Sequence, residues 1–237
     1  MLVTSGSLIC SATVRKKLPF DPRTAVAPIT QLTTLSYVLM VNPALPVKSV
    51  KELIAYAKAK PNALHFGSSG VGGIGHLAGE LFAANAGVRM VHVPYKGGGP
   101  ALLDMISGQI QLGFTATISG MPHVRAGRLR GLAVTSPARS KAFPDTPTLA
   151  EAGLPGFELV NWYGMFAPAK APPAVVAALN REIVTILRSP DVQAMFDKDG
   201  ADATGSASPA AFRKVFEAEV AKWEGYVKLP GFAEALK

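Results

Sequence analysis

Short apolar runs bounded by Gly, Pro, Asn and Ser recur along the chain and predict strands over residues 37–42, 63–68, 89–95, 109–116, 129–136 and 162–168. Helical segments between them are marked by their caps. Ser49 and Glu52 form a Ser-x-x-Glu box, after which Val50, Leu53, Ile54 and Ala57 make one apolar stripe that Pro61 ends. Thr148 and Glu151 form a second, shorter box closed by Gly153. Pro172-Pro173 opens a helix that should turn Val176, Leu179, Ile183 and Ile186 inward, and Ser189-Pro190 starts the next, stopped by Gly200. Ser208-Pro209 begins a long helix with Phe212, Val215, Phe216, Val220 and Trp223 on its buried face. Two more helices, over 76–86 and 101–107, follow glycine-rich turns; Gly87 ends the first and Pro100 opens the second. Strands alternating with helices predict an α/β protein with largely parallel sheets.

Composition narrows this picture. At 237 residues the chain can bury a substantial core as one large or two small domains. With 49% hydrophobic and 17% charged residues it should be ordered throughout. No apolar run approaches the roughly 20 residues that a membrane-spanning helix needs. Two stretches, 42–46 and 153–161, have the Pro/Gly content of domain crossings.

The net charge of +8 raises the question of nucleic acid. Lys and Arg are scattered, however; only Arg15-Lys16-Lys17 is dense, and no ribonucleoprotein motif, zinc finger or basic helix appears. A positive surface that concentrates an anionic ligand is the expectation, without a nucleic-acid partner. The single cysteine, Cys10, excludes an internal disulfide and reads as a small apolar residue. His65, His76, His92 and His123 never fall at metal-binding spacing, so no metal is expected. The stretch 1–10 has no basic leader and too little apolar length for a secretory signal.

Candidate chemistry concentrates in two turns. Phe66-Gly67-Ser68-Ser69-Gly70-Val71-Gly72-Gly73-Ile74-Gly75-His76 follows a strand and opens a helix. Gly70, Gly72 and Gly75 satisfy the dinucleotide pattern G-x-G-x-x-G, which leaves open an NADP-binding oxidoreductase. Against it, an extra Gly-Ser-Ser separates strand from motif, and the next strand carries no carboxylate for a ribose, although Lys96 could meet a 2′-phosphate. A P-loop fails because Gly73 stands where lysine is required, and a nucleophile elbow fails because Val71 lies two residues after Ser69. A glycine- and serine-rich turn feeding a helix still offers backbone N–H groups, hydroxyls and the positive end of a helix dipole. The same device recurs at Tyr95-Lys96-Gly97-Gly98-Gly99-Pro100-Ala101. Two such turns on neighbouring strands can converge on one carboxylate.

The run Val91-His-Val-Pro-Tyr-Lys-Gly-Gly-Gly-Pro-Ala101 closely resembles the VHVPYKG-x-x-PA segment of the receptors that serve tripartite tricarboxylate transporters, the Bug proteins. Other segments agree in order: Lys17-Leu-Pro-Phe-Asp-Pro22, Ser49-Val-Lys-Glu-Leu53, His76-Leu-Ala-Gly-Glu-Leu81, Leu132-Ala-Val-Thr-Ser136 and Pro147-Thr-Leu-Ala-Glu-Ala-Gly153. The resemblance implies a two-lobed, type II periplasmic binding-protein fold with a ligand cleft between lobes that close by hinge motion. It implies a first lobe from 1–43 and 161–237 and a second from 44–160. It also implies a periplasmic receptor, not an enzyme and without a cofactor, that hands a small carboxylate to the membrane subunits of its transporter.

The implied binding residues are Ser68, Ser69, Gly70, Gly73 and His76 at the first turn, and Lys96, Gly97, Gly98, Pro100 and Ala101 at the second. Ser5, Gly6, Thr115, Thr117 and Tyr163 complete the set. The resemblance further implies that the family's first-lobe loop has no counterpart here and that roughly 60 residues of the mature body would precede Met1, a sizeable part of a lobe. An incomplete first lobe would favour a homo-oligomer or, at the extreme, a remnant that only associates. Where the family shows Asp-Asn after residues 109–114, this chain has Thr115-Ala116-Thr117, which implies a carboxylate ligand without a free amine.

Overall fold

The computed structural model describes residues 1–10, 21–198, 200–229 and 232. The Arg15-Lys16-Lys17 run and the first part of the Lys17–Pro22 motif lie outside them, as does the side chain of Cys10. The strands in chain order are β1 (Leu2–Thr4), β2 (Val26–Val41), β3 (His65–Ser68), β4 (Val91–Pro94), β5 (Leu112–Ala116), β6 (Arg130–Val134), β7 (Val160–Pro168) and β8 (Asp202–Ala203). The helices are α1 (Val50–Ala59), α2 (Ile74–Ala86), α3 (Gly98–Ser107), α4 (Thr117–Arg125), α5 (Pro173–Leu187), α6 (Pro190–Lys198) and α7 (Pro209–Tyr226). A five-residue π-helix at Gly6–Cys10 and a helical turn at Pro22–Ala25 precede β2.

Two compact units result. One holds Met1–Leu35 and Asn161–Leu229; the other holds Ser36–Val160. The chain passes from one to the other within β2 and again at the start of β7.

In the first unit β1 pairs with β7 and the early part of β2 pairs with β8, both antiparallel. Its core is aromatic. Trp162 meets Phe212 edge-on at 5.4 Å and Phe216 at 6.4 Å, and Phe166 lies 5.2 Å from Phe212. Gly164 makes the packing possible, because a side chain there would run into the Phe212 ring. On α7, Phe212, Phe216, Val220 and Trp223 are buried as the stripe predicts, but Val215 is exposed.

The α5 stripe is corrected. Its buried residues are Val176, Asn180, Val184 and Leu187, whereas Leu179 and Ile186 are 41% and 59% exposed. The helix is rotated so that the Asn180 amide reaches the carbonyls of Ile29 (2.9 Å) and Ser206 (3.1 Å). That satisfies one buried and one partly buried acceptor, which an apolar side chain could not do.

The second unit holds the sheet β6-β2-β5-β3-β4. The expectation of largely parallel sheets is also corrected. β3 pairs in parallel with β4 and with β5, but β2 enters running the other way and inserts between β5 and β6, so both of its pairs are antiparallel. Crossover helices generate the parallel pairs, and a strand that arrives from another unit is free of that requirement.

Local chemistry fixes the helices. The Ser49 hydroxyl accepts the Glu52 N–H at 3.2 Å and the Glu52 carboxylate accepts the Lys48 N–H at 2.7 Å. Gly87 and Gly108 end α2 and α3 in the left-handed region, where a Cβ would be strained. Asn42, buried at the end of β2, donates to the carbonyls of Met105 and Ile106, capping α3, and accepts the Ala44 N–H. Val38, Met40, Leu102, Met105, Ile110, Leu129, Val134 and Phe143 form the core beneath.

Candidate functional site

α2 is the most buried helix of this unit; nine of its thirteen residues, from Ile74 to Ala86, are buried. It lies close on the sheet because two of its residues are glycine. A Cβ on Gly75 would stand 2.8 Å from the Phe114 carbonyl oxygen, and one on Gly79 would enter the Phe66 ring. The turn that feeds α2, residues 69–73, is therefore held down against the ends of β3 and β5.

Its hydrogen bonds are largely internal. The Ser68 hydroxyl accepts the Gly70 N–H at 3.1 Å and lies 3.0 Å from the Gly70 carbonyl. The Gly72 N–H donates to His76 Nδ1 at 3.1 Å, and the Gly73 N–H donates to the Gly70 carbonyl at 3.2 Å.

The second turn is fixed from beneath. The Tyr95 hydroxyl donates to Asp104 at 2.7 Å across the first turn of α3. Burial above all, and this bond, push the phenol up to about 12, so it stays protonated and keeps donating. Gly97 stands before α3 at φ 125, a conformation that a side chain would strain.

The two turns border one cavity of about 380 Å³. Ser68 and Ser69 reach it from the first turn, and Gly98, Gly99 and Ala101 from the second. Thr115, Ala116 and Phe114 line it from β5, Tyr37 from β2 and Ser119 from α4. Among the described residues, no lysine, arginine, histidine, aspartate or glutamate lines it. Polar contact with a guest would therefore come from hydroxyls and backbone groups, near the N-termini of α2 and α3.

Of the residues expected from sequence, the cavity collects Ser68, Ser69, Gly98, Ala101 and Thr115. Gly70 and Gly73 shape the turn but do not line the cavity. His76 is fully buried beneath it, with Glu80 3.6 Å from its Nε2. Lys96 and Pro100 are exposed, and they and Gly97 are not among the lining residues. Thr117, first residue of α4, is buried with no hydrogen-bond partner for its hydroxyl among the described residues. Ser5, Gly6 and Tyr163 belong to the other unit. There the Ser5 hydroxyl donates to Asn161 at 2.8 Å and accepts the Trp162 N–H at 3.3 Å, while Gly6 N–H also reaches Asn161. Tyr163 pairs with Thr4.

Sequence reasoning missed Tyr37, Ser119 and His92. Tyr37 is the register partner of Ala116, so it stands level with the end of β5, where ligands of such sheets collect. That signal was available once the pairing was known. Ser119 sits on α4, which carries Pro122 and has no side-chain cap, so nothing marked it as helix. His92 Nε2 lies 2.7 Å from the Ser68 hydroxyl, and its ring stacks 3.8 Å from that of His76.

Burial first, and the neighbouring His76, pull the His92 pKa from 6.5 down to about 4. The unfolded chain therefore binds the extra proton between those values. Stability is full above pH 6.5, falls as pH drops through the window and levels below about 4. The shift corresponds to at most about 3 kcal/mol, and to about 2 for a ring that is only partly shielded. Thermal melts at pH 7.5 and 4.5 should show a larger drop in Tm for the natural chain than for His92→Phe.

The family model for the tripartite tricarboxylate transporter family receptor matches residues 1–231. The chain belongs to this family. BugT of Bordetella pertussis (strain Tohama I) is 34% identical over 232 residues, covering 96% of this chain and 70% of BugT. Rpa4515 of R. palustris, solved with adipate, is 34% identical with a TM-score of 0.87, over 99% of this chain and 76% of that one. MatC of Rhodopseudomonas palustris, solved with bound malate, is 25% identical with a TM-score of 0.84, over 100% of this chain and 78% of that one. The family is one of solute receptors rather than enzymes, and the kinship lends no support to an NADP-dependent reading of Gly70, Gly72 and Gly75.

Proposed function

We propose that this chain is a periplasmic receptor that binds an amine-free dicarboxylate without covalent chemistry and delivers it to the membrane subunits of a tripartite transporter. One carboxylate would be held by Ser68, Ser69 and the start of α3 at Gly98 and Ala101, with Thr115 and Ser119 on the opposite wall. The observation that carries this reading is a cavity bordered by two glycine turns, with the hydroxyl-bearing Tyr37, Ser68, Ser69, Thr115 and Ser119 set among apolar Leu102, Met105 and Phe114 and no charged side chain among the described residues that line it. Hydrogen bonds to a charged group contribute about 1.5–3 kcal/mol each, so three or four neutral donors suffice for capture. Its volume falls in the range of about 300–1,000 Å³ usual for small-molecule sites. The adipate of Rpa4515 and the malate of MatC are of the same chemical class.

The absence of a lining carboxylate leaves an ammonium group without a partner and costs its desolvation. Isothermal titration against adipate, malate, aspartate and glutamate tests the assignment. The dicarboxylates should bind and the amino acids should not; a preference for aspartate or glutamate overturns it. Thr115→Asp should weaken the dicarboxylates by about tenfold or more, since it places a like charge in the cavity.

A further inference from the structure

We infer that His92 is a positioning residue for the carboxylate site, donating its Nε2–H to the Ser68 hydroxyl and so leaving that hydroxyl's own proton for a bound carboxylate. The inference rests on the receptor reading above and adds to it a residue that does not itself line the cavity.

The argument is one of proton accounting. A serine hydroxyl has one proton to give and two lone pairs with which to accept. Ser68 Oγ has three neighbours: the Gly70 N–H at 3.1 Å, the Gly70 carbonyl at 3.0 Å and His92 Nε2 at 2.7 Å. The amide can only donate, so it takes one lone pair. Were Nε2 an acceptor, the single proton would be committed to the ring, and a carboxylate, which only accepts, would find no donor. With Nε2 as donor, both lone pairs are filled and the proton faces either the Gly70 carbonyl or a guest. Without a guest the carbonyl takes it. With one, a modest rotation about the Cβ–Oγ bond delivers it to the carboxylate, and the hydrogen bonds donated to Oγ strengthen it as a donor.

The ring is held for this task. It stacks on His76 with centroids 3.8 Å apart and planes 20° from parallel, and Phe66 lies 4.9 Å away on the paired strand. His76 is itself fixed, since its Nδ1 accepts the Gly72 N–H and its proton must then reside on Nε2, towards Glu80. The two imidazoles thus grip the turn at both ends. His92 stays uncharged at neutral pH because burial and His76 hold its pKa near 4. The same low basicity argues against a nucleophile–base pair, since such a ring is a poor proton acceptor at neutral pH. Among the described residues, no carboxylate is hydrogen-bonded to its other nitrogen.

Two measurements test the wiring. In ligand-free protein labelled with ¹⁵N-histidine, His92 should resonate as the neutral Nε2–H tautomer at pH 7.5; the Nδ1–H tautomer or a charged ring overturns the inference. The second is a cycle of adipate affinities by titration calorimetry. Ser68→Ala should weaken binding about tenfold. His92→Phe, which keeps a ring between His76 and Phe66, should weaken it about fivefold. The double variant should bind no more weakly than Ser68→Ala alone. His92→Gln, whose side-chain amide retains a donor, should recover most of the loss, which a purely structural role of the ring would not allow. Natural affinity in His92→Phe, or losses that multiply in the double variant, overturn the inference. If the natural chain binds neither adipate nor malate, the receptor reading falls, while the tautomer still decides the wiring.

Discussion

Trp162→Ala is expected to cost about 3–5 kcal/mol, the range for removing a fully buried large aromatic. Trp162 is 1% exposed on β7 and is the wall against which α7 packs, meeting Phe212 and Phe216 edge-on. Alanine would leave a hole bounded by rigid rings that cannot collapse into it, and the edge-to-face contacts would be lost as well. A control separates shape from polarity. The indole N–H of Trp162 has no hydrogen-bond partner among the described residues, so Trp162→Phe removes a donor whose burial already counts against folding. It should therefore cost much less than alanine does. Chemical denaturation followed by fluorescence reads both, since Trp223, the chain's other tryptophan, lies in the same unit. Equal losses for the two variants would mean that the indole's bulk is not what the core requires.

The second large effect is expected from Gly75→Ala. Alanine is favoured over glycine in a helix, by up to about 1 kcal/mol in an interior and less in the first turn where Gly75 stands, so propensity alone predicts slight stabilisation. Packing predicts the reverse and should win. The new methyl would sit 2.8 Å from the Phe114 carbonyl oxygen, a backbone atom in the middle of a paired strand, and neither partner can swing aside. The N-terminal end of α2 must lift, at a cost of about 1–3 kcal/mol. Lifting it moves Ser69 and Gly75 relative to Thr115 and opens the cavity that all three line. Adipate affinity measured by calorimetry should fall by at least about tenfold, the equivalent of one lost hydrogen bond. Gly72→Ala is the comparison, because the space around Gly72 is open and only its positive φ is strained. Unchanged affinity in Gly75→Ala would show that helix and strand do not set the cavity's width.

Elements that carry their own punctuation were legible in the sequence. α1, α6 and α7 begin at Ser-x-x-Glu or Ser-Pro signals, and α2 ends at Gly87, as the local chemistry of caps requires. Elements whose stability comes from partners were not. β2 starts at Val26, eleven residues before the predicted strand, because Thr33 and Thr34 are paired by β8, and a two-residue strand announces nothing. The buried face of α5 is not the one its aliphatic spacing predicts, because a buried asparagine outranks two exposed aliphatics there. At the site, the glycine turns were visible because glycine and serine advertise backbone geometry. The residues across the cavity, Tyr37 and Ser119, depend on which strand lies next to which, and β2 enters against the direction that simple alternation suggests.

The first turn bonds chiefly to itself: Gly70, Gly72 and Gly73 give their amide protons to Ser68, His76 and Gly70. Such a loop is already cast before any guest arrives. Its disorder was surrendered when the chain folded, so an incoming molecule need not freeze it. Selectivity can then rest on how well a solute fits a mould of fixed outline.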